Sequence, residues 1–165
     1  MYTEHTDQRD KLGAPMRLTA YTDYTLRTLI YLGMRRDRLA TIQDIAQLHD
    51  ISKNHLMKVV HQLGLSGMVE TVRGRNGGLR LKVAPEEINI GAVVRHSESD
   101  FYMAECFGPN ATACHLAPAC ALKGVLAAAT AAYLKVIDGV TLADLIAAQA
   151  TAPRRPGVAD IVWQR

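Results

Sequence analysis

The three cysteines of this 165-residue chain, Cys106, Cys114 and Cys120, fall within fifteen residues, with seven residues between the first pair and five between the second. Thiolates are soft ligands that suit iron-sulfur clusters and zinc, and three in one short loop can share a single centre if a fourth ligand completes it. Gly108-Pro109-Asn110 and Pro118 break the segment into a loop, which argues against three small buried hydrophobes. A zinc site of three cysteines and one histidine would have to use His115, which adjoins Cys114 and would struggle to turn the same way. The two-residue cysteine spacing usual in zinc sites is also absent. From spacing alone the metal stays open. Outside the loop there is no Ser/His/Asp set and no activated Cys/His pair, so no catalytic residue is assigned and an enzyme is not expected.

Composition bounds the setting. With 48% hydrophobic and 21% charged residues, the chain suits one or two compact units with a real core. The first fifteen residues, MYTEHTDQRDKLGAP, lack the apolar stretch of a signal peptide, and the longest apolar run, Gly124 to Leu134, lies between Lys123 and Lys135. That is well short of the ~20 residues a membrane-spanning helix needs. The expectation is a cytoplasmic protein without a membrane partner, in a reducing compartment where clustered cysteines signal metal or redox chemistry rather than disulfides.

The net charge of +3 is modest, but between Ile51 and Val83 six basic residues (Lys53, Lys58, Arg73, Arg75, Arg80, Lys82) face one acid, Glu70. One region therefore holds the positive field, as nucleic-acid binding requires.

The elements that must position these groups are readable from periodicity. Residues 1–15 read as a disordered leader. A first helix is expected from Thr22 as N-cap, with Leu26, Leu29, Ile30 and Leu32 on one face and Gly33 as its stop. Thr41 with Asp44 three residues on has the form of a capping box for a short second helix. Ser52 caps a third, in which Leu56, Val59, Val60 and Leu63 face inward while Lys53, Asn54, Met57, Lys58 and His61 face out. Val69–Arg73 and Leu79–Val83 read as a hairpin around Asn76-Gly77, a pair that favours tight positive-φ turns, with Arg80 and Lys82 opposite Leu79, Leu81 and Val83. A fourth helix is expected near Ile90–His96. After the cysteine loop a long helix follows, with Val125, Leu126, Ala129, Tyr133, Val136 and Ile137 at helical spacing and a small-residue run, Ala127 to Ala132. One subunit offers little to cover that stripe, so it is expected to pair with a second copy. Thr141 caps a last short helix.

The chain is thus expected to be mainly α, a homodimer with a winged helix-turn-helix DNA-binding domain and a long dimerisation helix. Its divisions would be a leader (1–15), the winged domain (16–85), a connecting helix with a metal- or cluster-binding loop (86–120), a dimerisation helix with a short C-terminal helix (121–150) and a flexible tail (151–165). Candidate DNA-contacting residues are Ser52, Lys53, Asn54, His55 and Lys58 on the third helix and Arg73, Arg75 and Asn76 at the wing tip. Any one of them alone would be an ordinary solvated side chain; their order along the chain favours DNA.

The strings MRLTAYTDYTLRTLIYL at Met16, ISKNHLMKVVHQL at Ile51, ETVRGRNGGLRL at Glu70, the cysteines in register and CALKGVLAAATAAYLKVIDGVTLADLI from Cys120 resemble the small winged-helix iron-sulfur repressors. That group includes the nitric-oxide sensor NsrR, the cluster regulator IscR and the iron regulator RirA. SKNHLMKVVHQL, CALK and TLADLI are most similar to the NsrR type. The resemblance implies a repressor of nitrosative-stress genes that binds a double-stranded operator, takes nitric oxide as its signal and holds a cluster on Cys106, Cys114 and Cys120, of the 4Fe-4S type in preference to 2Fe-2S. It also implies Asp23, donated by the other subunit, as fourth ligand, although an acid in a helix first turn is favoured there by the dipole in any case. IscR-like proteins place a histidine three residues after the last cysteine, where this chain has Lys123. ETVRGRNGG and AECF look at least as much like RirA, so iron sensing is the alternative, with a zinc-stabilised factor and a cluster-free thiol-redox regulator as further competitors.

Overall fold

The structure is a computed structural model that describes residues 17–109 and 120–151. The expected leader, Cys114 with the middle of its loop, and the tail after Thr151 lie outside the described residues. In chain order the elements are α1 (Ala20–Met34), α2 (Ile42–His49), α3 (Lys53–Leu65), β1 (Val69–Val72), β2 (Gly78–Leu81), α4 (Ile90–Ser97), α5 (Ala121–Asp138) and α6 (Leu142–Thr151). The fold is mainly helical, with one two-stranded antiparallel sheet in the register Val69↔Leu81, Glu70↔Arg80, Thr71↔Leu79 and Val72↔Gly78.

Local chemistry sets most boundaries. Thr41 and Asp44 form a full capping box at α2, the Asp44 N–H reaching Thr41 Oγ1 at 3.1 Å and the Thr41 N–H reaching Asp44 Oδ2 at 2.8 Å. Asp50 then ends that helix in the left-handed region at φ 52°, a conformation that Asp tolerates better than most residues. Ser52 Oγ accepts from the His55 N–H at the head of α3. Asn89 Oδ1 accepts from the Ala92 N–H at the head of α4. Thr141 and Asp144 repeat the box at α6, and the bonds from Thr141 hold the Asp144 carboxyl below its ordinary range.

Three expectations are corrected. Thr22 is not the cap of α1: Thr19 is, accepting from the Thr22 N–H at 3.2 Å, while Thr22 itself is fully buried one turn in. The helix also runs through Gly33 to Met34. Gly33 is used instead for close approach, since a Cβ there would run into the side chain of Ile146 on α6. The hairpin is not closed by a tight Asn76-Gly77 turn. The strands stop at Val72 and resume at Gly78, the positive φ belongs to Gly74 (117°), and the Gly77 N–H closes the loop on the Gly74 carbonyl at 3.0 Å. Gly77 is required because a Cβ would collide with the Val72 carbonyl oxygen.

The core gathers Leu29 and Leu32 of α1, Ile45 of α2, Leu56 and Val59 of α3, Leu79 of β2, Val93 and Val94 of α4 and Leu142 of α6. α6 thus returns to the winged domain and packs on α1, while none of the residues of α5 is buried. The end of α5 is pinned to α4. The Arg95 guanidinium makes a two-pronged ion pair with Asp138, Asn89 Nδ2 donates to the Asp138 carbonyl at 2.7 Å, and Gly91 lies so close to Asp138 that a Cβ there would displace the Asp138 carboxylate and press on its Cα. The pairing raises the Arg95 pKa and lowers that of Asp138.

Candidate metal centre and nucleic-acid interface

α3 presents Ser52, Lys53, Asn54, His55, Met57, Lys58 and His61 to solvent because Leu56, Val59, Val60 and Leu63 take the buried face. Ser52 is occupied as the cap, its oxygen facing the first turn of the helix. The His55 ring stacks on Tyr24 of α1 at 6.0 Å between centroids and 29° between planes. This geometry lies within the range of favourable ring pairs. Arg73, Arg75 and Asn76 are all exposed on the loop between β1 and β2, and a bridge from Leu79 to Ala40 ties the base of that hairpin to the α1–α2 connection. Arg80 is spent on Glu70 across the sheet, so the free positive charge of the hairpin sits at its tip and at Lys82.

Cys106 lies in a 3-10 turn, Glu105–Phe107, and Cys120 stands at the N-cap of α5; both are half-buried free thiols. Cys114 lies outside the described residues. Two accessible, unpaired thiols at the two ends of one loop fit a thiolate-bound metal or cluster by the chemistry of the donor set. Among the described residues, no three His, Cys, Asp or Glu side chains gather closely enough to hold a metal. Asp23 is in the first turn of α1 with its carboxylate 40% exposed and ion-paired to Arg27 one turn on, at 2.8 Å. It is not grouped with the described cysteines in a metal-sized cluster within the subunit.

Two links escaped sequence reasoning because each joins residues far apart in the chain. Tyr24 against His55 connects the residue after Asp23 to the head of α3. Glu98, just after α4, accepts from the Thr19 N–H at 2.8 Å and from the Thr19 hydroxyl at 3.2 Å, binding the entrance of the cysteine loop to the N-terminus of α1.

Along α5 the apolar stripe divides. Leu126, Thr130, Leu134 and Ile137 are partly covered by the chain's own fold, whereas Leu122, Val125, Tyr133 and Val136 are 62%, 64%, 41% and 69% exposed. The expected stripe therefore loses Leu126 and Ile137 to the chain's own fold and gains Leu122.

The profile of the Rrf2 family, described as an iron-dependent transcriptional regulator, matches residues 18–148. The chain is 56% identical over 132 residues to the HTH-type transcriptional regulator NsrR of Bacillus licheniformis, covering 79% of this chain and 92% of that protein. It is 54% identical over 132 residues to the NsrR of Bacillus subtilis, covering 79% and 90%. Among solved structures, the T. potens IscR superposes with a TM-score of 0.66 at 20% identity over 86% of this chain and 95% of that one, a likeness of fold.

Proposed function

Since the chain belongs to the Rrf2 family of iron-dependent transcriptional regulators, we propose that it is a homodimeric repressor whose grip on a DNA operator is released by nitric oxide. The observation that carries the reading is a winged helix with an outward basic face in the same chain as a loop bearing free thiols at both ends. Its 56% identity to a regulator named NsrR supports nitric oxide as the signal.

Cys106, Cys114 and Cys120 would hold an iron-sulfur cluster, of the 4Fe-4S type, and Asp23 of the partner subunit would complete it. Such a centre supplies an iron whose oxygen ligand is harder and more readily displaced than a thiolate, and so is open to a small reactive molecule. The chain's own residues would carry the consequence. When Asp23 is not engaged across the dimer its carboxylate pairs with Arg27 on its own helix. Tyr24, the next residue, carries any movement of that turn to His55 at the head of α3. Glu98 gives the same helix end a second tie, to the end of α4, from which the chain runs on towards Cys106. Dimeric readers need recognition helices spaced to the DNA repeat, so a small rotation of α1 would cost affinity. A swing from mostly bound to mostly free requires a ~10⁴-fold preference between states.

Ser52, Lys53, Asn54, His55 and Lys58 would face the major groove, and Arg73, Arg75 and Asn76 the adjacent backbone or minor groove. The exposed stripe of α5 would pair with that of the second subunit.

Anaerobic purification followed by titration with nitric oxide and with an iron chelator tests the proposal. Cys106→Ser, Cys114→Ser and Cys120→Ser should each lose the visible absorbance, whereas Asp23→Ala should retain a cluster of altered stability. Full absorbance in every cysteine variant would end the cluster claim. Colourless, iron-free protein that binds its operator equally with and without nitric oxide would end the whole reading. The family's iron-dependent description favours a second reading, an iron-responsive repressor of the RirA type. Release by chelator with no response to nitric oxide would select it.

A further inference from the structure

Lys123 is third in α5, three residues after Cys120, and its ammonium lies 5.7 Å from the centre of the Phe107 ring. Phe107 follows Cys106 directly and closes the 3-10 turn that carries it, its N–H bonded to the Ala104 carbonyl at 3.0 Å. A single cation–π contact therefore joins the two described cysteine-bearing segments across the loop.

The position of the charge is unfavourable for the helix itself. A cation in a first turn opposes the positive end of the dipole, and this turn contains no acid. Among the described residues no carboxylate forms an ion pair with Lys123, although Glu105 stands exposed two residues from its aromatic partner. An anion near the two segments would offset this unfavourable placement of an otherwise solvated ammonium. Thiolates bound to one centre supply that anion, because each carries negative charge that a nearby ammonium stabilises.

We infer that Lys123 is a positioning residue of the metal loop: held over Phe107, it draws the Cys106 turn onto the Cys120 end of α5 and sets a positive charge beside the thiolate-bound centre. This rests on the metal-loop reading above. It assigns Lys123 two separable effects, a geometric one that needs the Phe107 ring and an electrostatic one that needs only the charge.

The test uses the full-length protein, purified anaerobically with its cluster, as wild type, Lys123→Met, Lys123→Arg and Phe107→Leu. The first readout is the rate at which excess iron chelator bleaches the visible absorbance; the second is the midpoint potential of the centre. Lys123→Met should bleach about three- to tenfold faster, the range set by a solvent-facing cation–π contact together with one lost unit charge. Its potential should move negative, since a reduced centre is more anionic and loses more by removal of a cation. Lys123→Arg keeps both charge and ring contact and should stay within about twofold of wild type on the same grounds. Phe107→Leu should bleach at an intermediate rate with a smaller change in potential. Lys123→Met bleaching at the wild-type rate with unchanged potential, or Lys123→Arg matching Lys123→Met, would overturn the inference while a coloured wild type leaves the metal loop standing. Colourless, iron-free wild-type protein would overturn both.

Discussion

The exposed stripe on α5 allows a quantitative prediction for the proposed dimer. Val125 is 64% exposed and Val136 69% exposed in the single subunit. Val→Ala removes two carbons, each worth about 0.8 kcal/mol when fully buried. About two thirds of that surface is still wet in one subunit, so covering it contributes about 1 kcal/mol per site. In a two-fold dimer each substitution counts in both subunits, so each position contributes about 2 kcal/mol to association and the Val125→Ala/Val136→Ala pair about 4. That weakens the dimer about a thousandfold, at roughly 1.4 kcal/mol per factor of ten. Sedimentation of fluorescently labelled protein across a dilution series would measure it. Because no α5 residue is buried within the subunit, circular dichroism of the variant should match wild type, surface changes of this kind usually staying within about 0.5 kcal/mol. A dissociation constant altered less than about tenfold, with helicity intact, would refute the assignment of this face to the dimer.

Other predictions follow from single contacts. Arg75→Ala should weaken operator binding by roughly 1 to 3 kcal/mol if the side chain reads a base, or lower the salt slope by about one unit if it meets phosphate; salt-dependent anisotropy giving neither removes the wing from the interface. Gly91→Ala places a Cβ against Asp138 and should destabilise the protein by roughly 1 to 3 kcal/mol by overpacking, visible as a lowered Tm; an unchanged Tm would mean that the α4–α5 corner is loose. His49 has its Nε2 atom buried without a hydrogen-bond partner among the described residues. Burial, with help from Arg27 and against Asp23, pushes its imidazole below the ordinary 6.5. In cluster-free protein the unfolded chain then binds the proton first, so stability should fall as pH drops below about 6.5 and through the lower folded value. His49→Phe should flatten that limb in denaturant titrations at several pH values, and a wild-type curve already flat between pH 7 and 5 would contradict the reasoning.

Much of the winged domain was legible because its signals are local. The capping box at Thr41-Asp44, the Ser52 cap and the spacing of Leu56, Val59, Val60 and Leu63 need only a few neighbouring residues to act, and the alternation of Leu79, Arg80 and Leu81 reports one wet face directly. Where the reading of α1 erred, two threonines competed for one cap. Thr22 is drawn into the core by the packing of α1, leaving Thr19 to close the helix. Gly33 was legible as special but not for the right reason. A glycine that permits close approach and one that ends a helix look alike until the element crossing it, here α6, is in place.

The amino-acid sequence by itself determined the helical periods, the caps, the basic segment and the spacing of the cysteines, and through its strings the family resemblance. Only the tertiary structure decided which stripe of α5 remains uncovered, that Arg80 is spent on Glu70, and that Tyr24 meets His55, Glu98 meets Thr19 and Lys123 meets Phe107. Periodicity and capping act within a turn or two of chain, so they are written along it. Contacts between distant segments depend on how whole elements pack, and no spacing along the chain encodes that.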